Sequence, residues 1–120
     1  MKKILIVDDE PNIVMTLEYT FKKNNYEVFI ARDGQEALDI VKSVYPDLII
    51  LDVMMPMVDG YATIEQIKNN DKLSKTKIIF LSAKNKESDI EKGLSLGADA
   101  YLTKPFSIKK VIEKVSELLA

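Results

Sequence analysis

Four consecutive aliphatic residues followed at once by an acid, Leu48-Ile49-Ile50-Leu51-Asp52, constrain this chain more than any other stretch. A strand with one wet face alternates apolar and polar residues. An unbroken aliphatic run fits a strand buried on both faces, as in the middle of a parallel sheet. The run stops at Asp52, and Pro56 with the Asp59-Gly60 pair marks a loop after it. The strand thus delivers one carboxylate to the C-terminal edge of its sheet, where open α/β sheets place their sites.

Three further strands lead to polar groups at what should be the same edge. Lys3 to Val7 runs into Asp8-Asp9-Glu10, Lys77 to Leu81 into Ser82-Ala83, and Ala100 to Leu102 into Thr103-Lys104-Pro105-Phe106. A fifth strand is expected over Tyr26 to Ala31. Helical periods separate the strands. Pro11 suits a first helical turn, and Ile13, Val14, Leu17 and Phe21 form a stripe that Asn24-Asn25 ends. Asp33 can cap a helix whose apolar face is Ala37, Leu38 and Val41.

Tyr61 to Lys68 presents Ile64 and Ile67, and the polar stretch from Asn69 to Thr76 reads as a connection. Lys86 to Leu96 has Ile90 and Leu94 four apart and Gly97 placed as its C′ residue; Gly93 inside it costs ~1 kcal/mol relative to Ala, which points to a weakly held helix. The last helix has the cleanest period, through Ile108, Val111, Ile112, Val115, Leu118 and Leu119. Five strand–helix units in alternation define an α/β protein, a parallel sheet with helices on both faces. Residues 1–120 form one domain, the size expected for such a unit.

Composition removes whole classes of chemistry. Without histidine or cysteine the chain has no Ser-His-Asp triad, imidazole base, thiolate or His-ligated zinc of its own. A net charge of −2 gives no footprint for nucleic acid. The apolar run after Met1-Lys2-Lys3 is too short for a signal peptide, and no stretch approaches transmembrane length, so a cytoplasmic protein is expected.

Asp8, Asp9 and Asp52 at one edge would repel: a like-charge pair ~4 Å apart costs roughly 4 kcal/mol at an effective dielectric of 20. A bound cation relieves this. All-oxygen donors suit Mg²⁺, and Mg²⁺ together with Lys104 brings the charge of the three acids to zero. Such a site can accept a phosphoryl group on a carboxylate nucleophile, with metal and ammonium on the equatorial oxygens and the Ser82 hydroxyl as a further donor.

In order and spacing the motifs resemble the response-regulator receiver domains of two-component signalling. The matching residues are Ile6-Val7-Asp8-Asp9-Glu10, Leu51-Asp52, Met55-Pro56 with Asp59-Gly60, Ser82-Ala83, Gly97-Ala98-Asp99 with Tyr101, and Thr103-Lys104-Pro105-Phe106. The resemblance implies a doubly wound, flavodoxin-like (βα)5 sandwich of strand order 2-1-3-4-5. It implies Asp52 as phosphoacceptor and Asp9 and Asp52 as direct Mg²⁺ ligands, with the Met54 backbone carbonyl and with Asp8 acting through water. Lys104, followed by a cis bond to Pro105, would bind phosphate. Ser82 and Tyr101 would be the switch residues, acting on the face formed by helix 4, strand 5 and helix 5.

The implied partner is a sensor histidine kinase or histidine phosphotransfer protein, docking at helix 1 and the adjoining loops. The resemblance leaves the output unassigned, and the charge balance and the lack of a membrane-length run give no reason to expect nucleic acid or membrane as partners of this domain. Met54 and Lys84 stand at the two positions that tune dephosphorylation in the family; neither can orient an attacking water, which implies a phosphoryl lifetime longer than the chemotaxis type. The cross-subunit ion pairs of the family's winged-helix regulators would fall near Ile90, Leu96, Ala100 and Lys110, where the expected charges are missing. A monomer or a weak phosphorylation-dependent dimer is the expectation.

Singly, each feature has an ordinary use: Asp9-Glu10 at a helix start, Ser82 as a cap, Lys104 on the surface, Tyr101 in packing. A haloacid-dehalogenase-type phosphohydrolase would need an acid at position 54, which is Met54, and a flavodoxin would need a hydroxyl-rich loop after strand 1. No nucleotide-binding glycine motif occurs. The rival that keeps all the residues is a pseudo-receiver, an interaction module that never takes phosphate.

Overall fold

The computed structural model describes all 120 residues. Five strands, β1 (Lys3–Val7), β2 (Glu27–Ala31), β3 (Leu48–Leu51), β4 (Lys77–Ser82) and β5 (Ala100–Thr103), alternate with five helices. The helices are α1 (Pro11–Lys23), α2 (Gly34–Val44), α3 (Gly60–Lys68), α4 (Glu87–Ser95) and α5 (Ile108–Leu119). All strand pairs are parallel and the order is 2-1-3-4-5.

The aliphatic run of β3 is buried on both faces. Leu48 and Ile50 join Ile4, Ile6, Ile79 and Leu81 in a core beneath α1 and α5. Ile49 and Leu51 join Leu5, Val7, Ile78 and Phe80 in a second core beneath α2 and α3. Two apolar layers, each sealed by helices, leave the strand ends as the place where polar groups can gather.

Caps and turns agree with the residues that favour them. Asp33 and Asp59 accept hydrogen bonds from the backbone N–H groups of Glu36 and Ala62 at the starts of α2 and α3. Asn25 after α1 and Gly97 after α4 both have positive φ, and Gly97 accepts this at no steric cost. The close approach of α3 to the end of β3 requires Gly60, because a Cβ there would overlap the Asp52 carbonyl oxygen.

Several boundaries differ from the sequence reading. β4 and β5 each run one residue further, because Ser82 and Thr103 pair with each other. β2 starts at Glu27, and Tyr26 instead packs edge-on against Phe21. The Asn69–Thr76 connection contains a 3-10 turn, Asp71–Leu73, that buries Leu73. Helix α4 departs most. Leu94 is exposed and Ile90 only half-buried, and the one buried residue is Gly93. The helix approaches Phe80 and Tyr101 so closely that no side chain fits between them: a Cβ on Gly93 would be 2.9 Å from a ring carbon of each.

Candidate functional site

The strand order reverses between β1 and β3, which pair in register from Ile4↔Leu48 to Val7↔Leu51. Asp8 and Asp52 are the next residues on the two strands, so the topology sets them side by side. The register continues past the strand ends, with the Asp52 N–H donating to the Val7 carbonyl and the Asp8 N–H to that of Ala31. On the other side of β3, Ser82 ends β4 beside Thr103. The Lys104 N–H then donates to the Ser82 carbonyl, which aims the lysine stem back along the strand ends. The Lys104–Pro105 bond is cis, as the resemblance implied.

The Lys104 ammonium is the centre of the site. Its Nζ lies 3.0 Å from Asp8 Oδ2, 2.9 Å from Glu10 Oε1 and 3.2 Å from Asp52 Oδ2. The side chains of Asp8, Asp52 and Lys104 are 3, 4 and 10% exposed, whereas Glu10 is 57% exposed. Backbone N–H groups hold the buried acids: Glu10 N–H donates to Asp8 Oδ1 and Met54 N–H to Asp52 Oδ1.

One cation shared among three acids explains opposite balances at the two partners. Burial raises the Asp8 pKa, and the Glu10 N–H, with the share of Lys104 that Asp8 receives, offsets this only in part; its carboxyl stays above the usual range. Burial alone would lower Lys104. Its hydrogen bonds to Glu10 and Asp8 and the charge on Asp52 win, and hold the ammonium above the ordinary lysine range.

The three carboxylates offer oxygens within 4.8 Å of one another. With one ammonium they leave an excess of negative charge in a largely buried place. Oxygen-only donors with that excess fit a hard divalent cation. Asp9, expected among the ligands, is exposed and lies outside this set; it lines a cleft with Asp8, Pro11 and Arg32. Glu10 is in the set although its role was not foreseen. It stands at the N-cap position of α1, but its carboxylate caps nothing there.

The other two residues lie behind the charged cluster. Ser82 is fully buried, and its Oγ accepts a hydrogen bond from the Lys84 N–H. The Tyr101 hydroxyl donates to the carbonyl of the same Lys84 at 2.8 Å. Its ring is half-buried against Phe80, which in turn meets Tyr61 edge-on. Burial, ahead of the other influences, pushes the Tyr101 phenol up to about 12. The Met54 side chain is exposed.

A doubly wound sheet thus carries an acid pair at its reversal point, with a lysine reaching them from the end of β5 and a hydroxyl at the end of β4, the layout of a receiver-type domain. Residues 4–116 match the family described as the response regulator receiver domain, and the chain belongs to that family. It is 45% identical over 118 residues to the alkaline phosphatase synthesis transcriptional regulatory protein PhoP of Bacillus subtilis. That match covers 98% of this chain and 48% of the relative, so the chain spans about half the relative's length.

Among solved structures, it superposes on the chemotaxis protein CheY4 of Vibrio cholerae with a TM-score of 0.92 at 30% identity, covering 98% of both chains. It superposes on the receiver domain of the Francisella response regulator 1452 with a TM-score of 0.91 at 34% identity, covering 98% of this chain and 96% of the other. No helix is long and apolar enough to cross a membrane.

Proposed function

We propose that this chain is a single Mg²⁺-dependent phosphoacceptor switch over residues 1–120, in which Asp52 takes a phosphoryl group from a phosphohistidine of a partner kinase or phosphotransfer protein. The observation that carries the reading is the Lys104 ammonium held against buried Asp8 and Asp52 at the reversal point of the sheet. An Asp52 oxygen attacks phosphorus as the P–N bond to the partner imidazole breaks. The bonding pair stays on the imidazole nitrogen, which takes up a proton. Asp52 needs no base, being a carboxylate at neutral pH.

Asp9, Asp52 and the Met54 carbonyl would hold the metal, with Asp8 through water; bound there, Mg²⁺ neutralises charge on the phosphoryl oxygens. Asp9 is free to turn inward because it is exposed and has no partner in the cluster. Lys104 and the Ser82 hydroxyl bind the phosphoryl oxygens, and Tyr101 with α4 relays the change. Because only a difference in affinity between two states shifts a population, the phosphoryl group must be bound better by the active form. The exposed thioether of Met54 and the ammonium of Lys84 orient no water, so the acyl phosphate outlasts that of the chemotaxis type. The domain works in the cytoplasm, as a monomer or a dimer formed on phosphorylation.

Intact mass after incubation with Mg²⁺ and acetyl phosphate tests the reading. One added phosphoryl group is expected, and none without Mg²⁺ or in Asp52→Asn. No addition to the wild type, with no beryllofluoride binding either, would instead make the chain a pseudo-receiver.

A further inference from the structure

An ammonium has three N–H donors, and Lys104 uses one on each of Asp8, Glu10 and Asp52. These partners are not equivalent. Asp52 becomes an uncharged acyl oxygen once it carries a phosphoryl group, so its hold on Lys104 weakens as the donor turns to the phosphoryl oxygen. Asp8 also serves the cation that the site is built to hold. Glu10 alone is outside the proposed ligand set, although its oxygens lie close enough to join it. It sits at an N-cap, where a side chain ordinarily accepts from the first helical turn, yet its carboxylate reaches across to a residue 94 positions away. Its own N–H closes onto Asp8 Oδ1 at 2.9 Å, so its backbone is fixed against the same cluster.

From this we infer that Glu10 is the positioning residue for Lys104: it keeps the ammonium at its station while Asp52 is converted and the other acids turn to the metal. The inference rests on the phosphoacceptor reading and deepens it. The exposure of Glu10 is what suits it to this work. It can track small movements of the ammonium without leaving a buried charge unpaired, which neither Asp8 nor Asp52 can do.

Two measurements on Glu10→Gln test it. In metal-free protein, mass-mapped labelling of lysine amines by limiting acetic anhydride should rise at Lys104 by at least about threefold, with the other lysines unchanged. The dissociation constant of beryllofluoride in Mg²⁺ should rise by about three- to tenfold, in line with losing one charge-assisted hydrogen bond. A merely structural role would leave Lys104 labelling where it was, and that result overturns the inference.

Direct ligation of the metal by Glu10 is the competing account, and it is separated in a Lys104→Met background by titrating Mg²⁺ alone. There, Glu10→Gln should change the Mg²⁺ dissociation constant by less than about twofold. A rise of about fivefold or more would make Glu10 a ligand and overturn its assignment to Lys104. If the wild type binds no beryllofluoride, it is the phosphoacceptor reading that falls, and the labelling comparison still decides what Glu10 does.

Discussion

Replacing Gly93 by Ala sets two effects of known sign against each other. In an ordinary helix interior the change stabilises by about 1 kcal/mol, because glycine loses the most backbone entropy on folding. Here the new methyl would lie 2.9 Å from Phe80 Cδ2, 2.9 Å from Tyr101 Cδ2 and 3.1 Å from Tyr101 Cε2. Carbon pairs rest at roughly 3.5–4.0 Å, so two contacts overlap by about 0.6 Å or more. Phe80 is fully buried and cannot yield. Tyr101 is half-buried and can swing only by breaking its hydrogen bond to the Lys84 carbonyl. Overpacking of this kind costs about 1–3 kcal/mol.

The net expectation is a loss of up to about 2 kcal/mol in urea unfolding monitored by circular dichroism. The cost should shrink in a Tyr101→Ala background, where one of the two obstacles is gone. A second readout is independent of stability: spectrophotometric titration should show the Tyr101 phenol falling from about 12 toward the ordinary 10 as its ring is displaced. A gain of about 1 kcal/mol in Gly93→Ala, the bare helix-propensity value, would refute the close approach of α4 to the aromatic pair.

Three other changes rest on the same kinds of contact. Lys104→Met leaves Asp8 and Asp52 buried without their cation and should destabilise the metal-free protein at neutral pH by about 3 kcal/mol. Because Asp8 is already held above its ordinary range, the deficit should shrink as pH falls through that raised pKa and the acid protonates; urea melts at two pH values would show it. Gly60→Ala places a methyl against the Asp52 carbonyl and Val53 Cα, backbone atoms that cannot give way. A loss of roughly 2–3 kcal/mol and weaker beryllofluoride binding are expected, and a change of less than about 0.5 kcal/mol would contradict the packing. For Tyr101, a folded pKa above the unfolded value favours the protonated phenol. Its contribution is therefore whole below pH 10 and fades toward about 12; Tyr101→Phe should flatten the alkaline loss of stability across that window.

Most of the architecture was legible because it depends on one-dimensional patterns. The aliphatic runs of β1, β3 and β4 and the periods of α1, α2 and α5 each name their own buried faces, and the mixed strands β2 and β5 also run into polar residues. The strand order, which only the family resemblance implied, then brings Asp8 beside Asp52. What stayed hidden depends on approach across the fold. Gly93 read as a weak point in α4, since a sequence does not show that a helix must come within a methyl's width of two rings. Glu10 read as a helix-start acid, since nothing local shows that a lysine 94 residues later will end within 2.9 Å of it. Tyr61 offered no signal beyond being aromatic, yet its ring meets Phe80, its hydroxyl donates to the Asp89 carbonyl, and the Lys92 ammonium lies 4.3 Å from its centroid.

Those hidden contacts join the charged site to α4. Lys84 is held from both ends, its N–H on Ser82 Oγ and its carbonyl under the Tyr101 hydroxyl. Under the proposed mechanism the Ser82 hydroxyl turns to a phosphoryl oxygen, and Lys84 then loses the acceptor for its N–H. The loop is released at one end only, and it moves toward the site or away from it according to whether Tyr101 keeps its carbonyl. The Tyr101 ring lies against Gly93 while it keeps that carbonyl, and Tyr61 ties α4 to α3 through the Asp89 carbonyl and the Lys92 ammonium. The small volume left at Gly93 thus ties the position of a helix to the direction of one buried hydroxyl. A sub-ångström event at Ser82 need only choose between two packed arrangements, because a close-packed interface does not deform continuously.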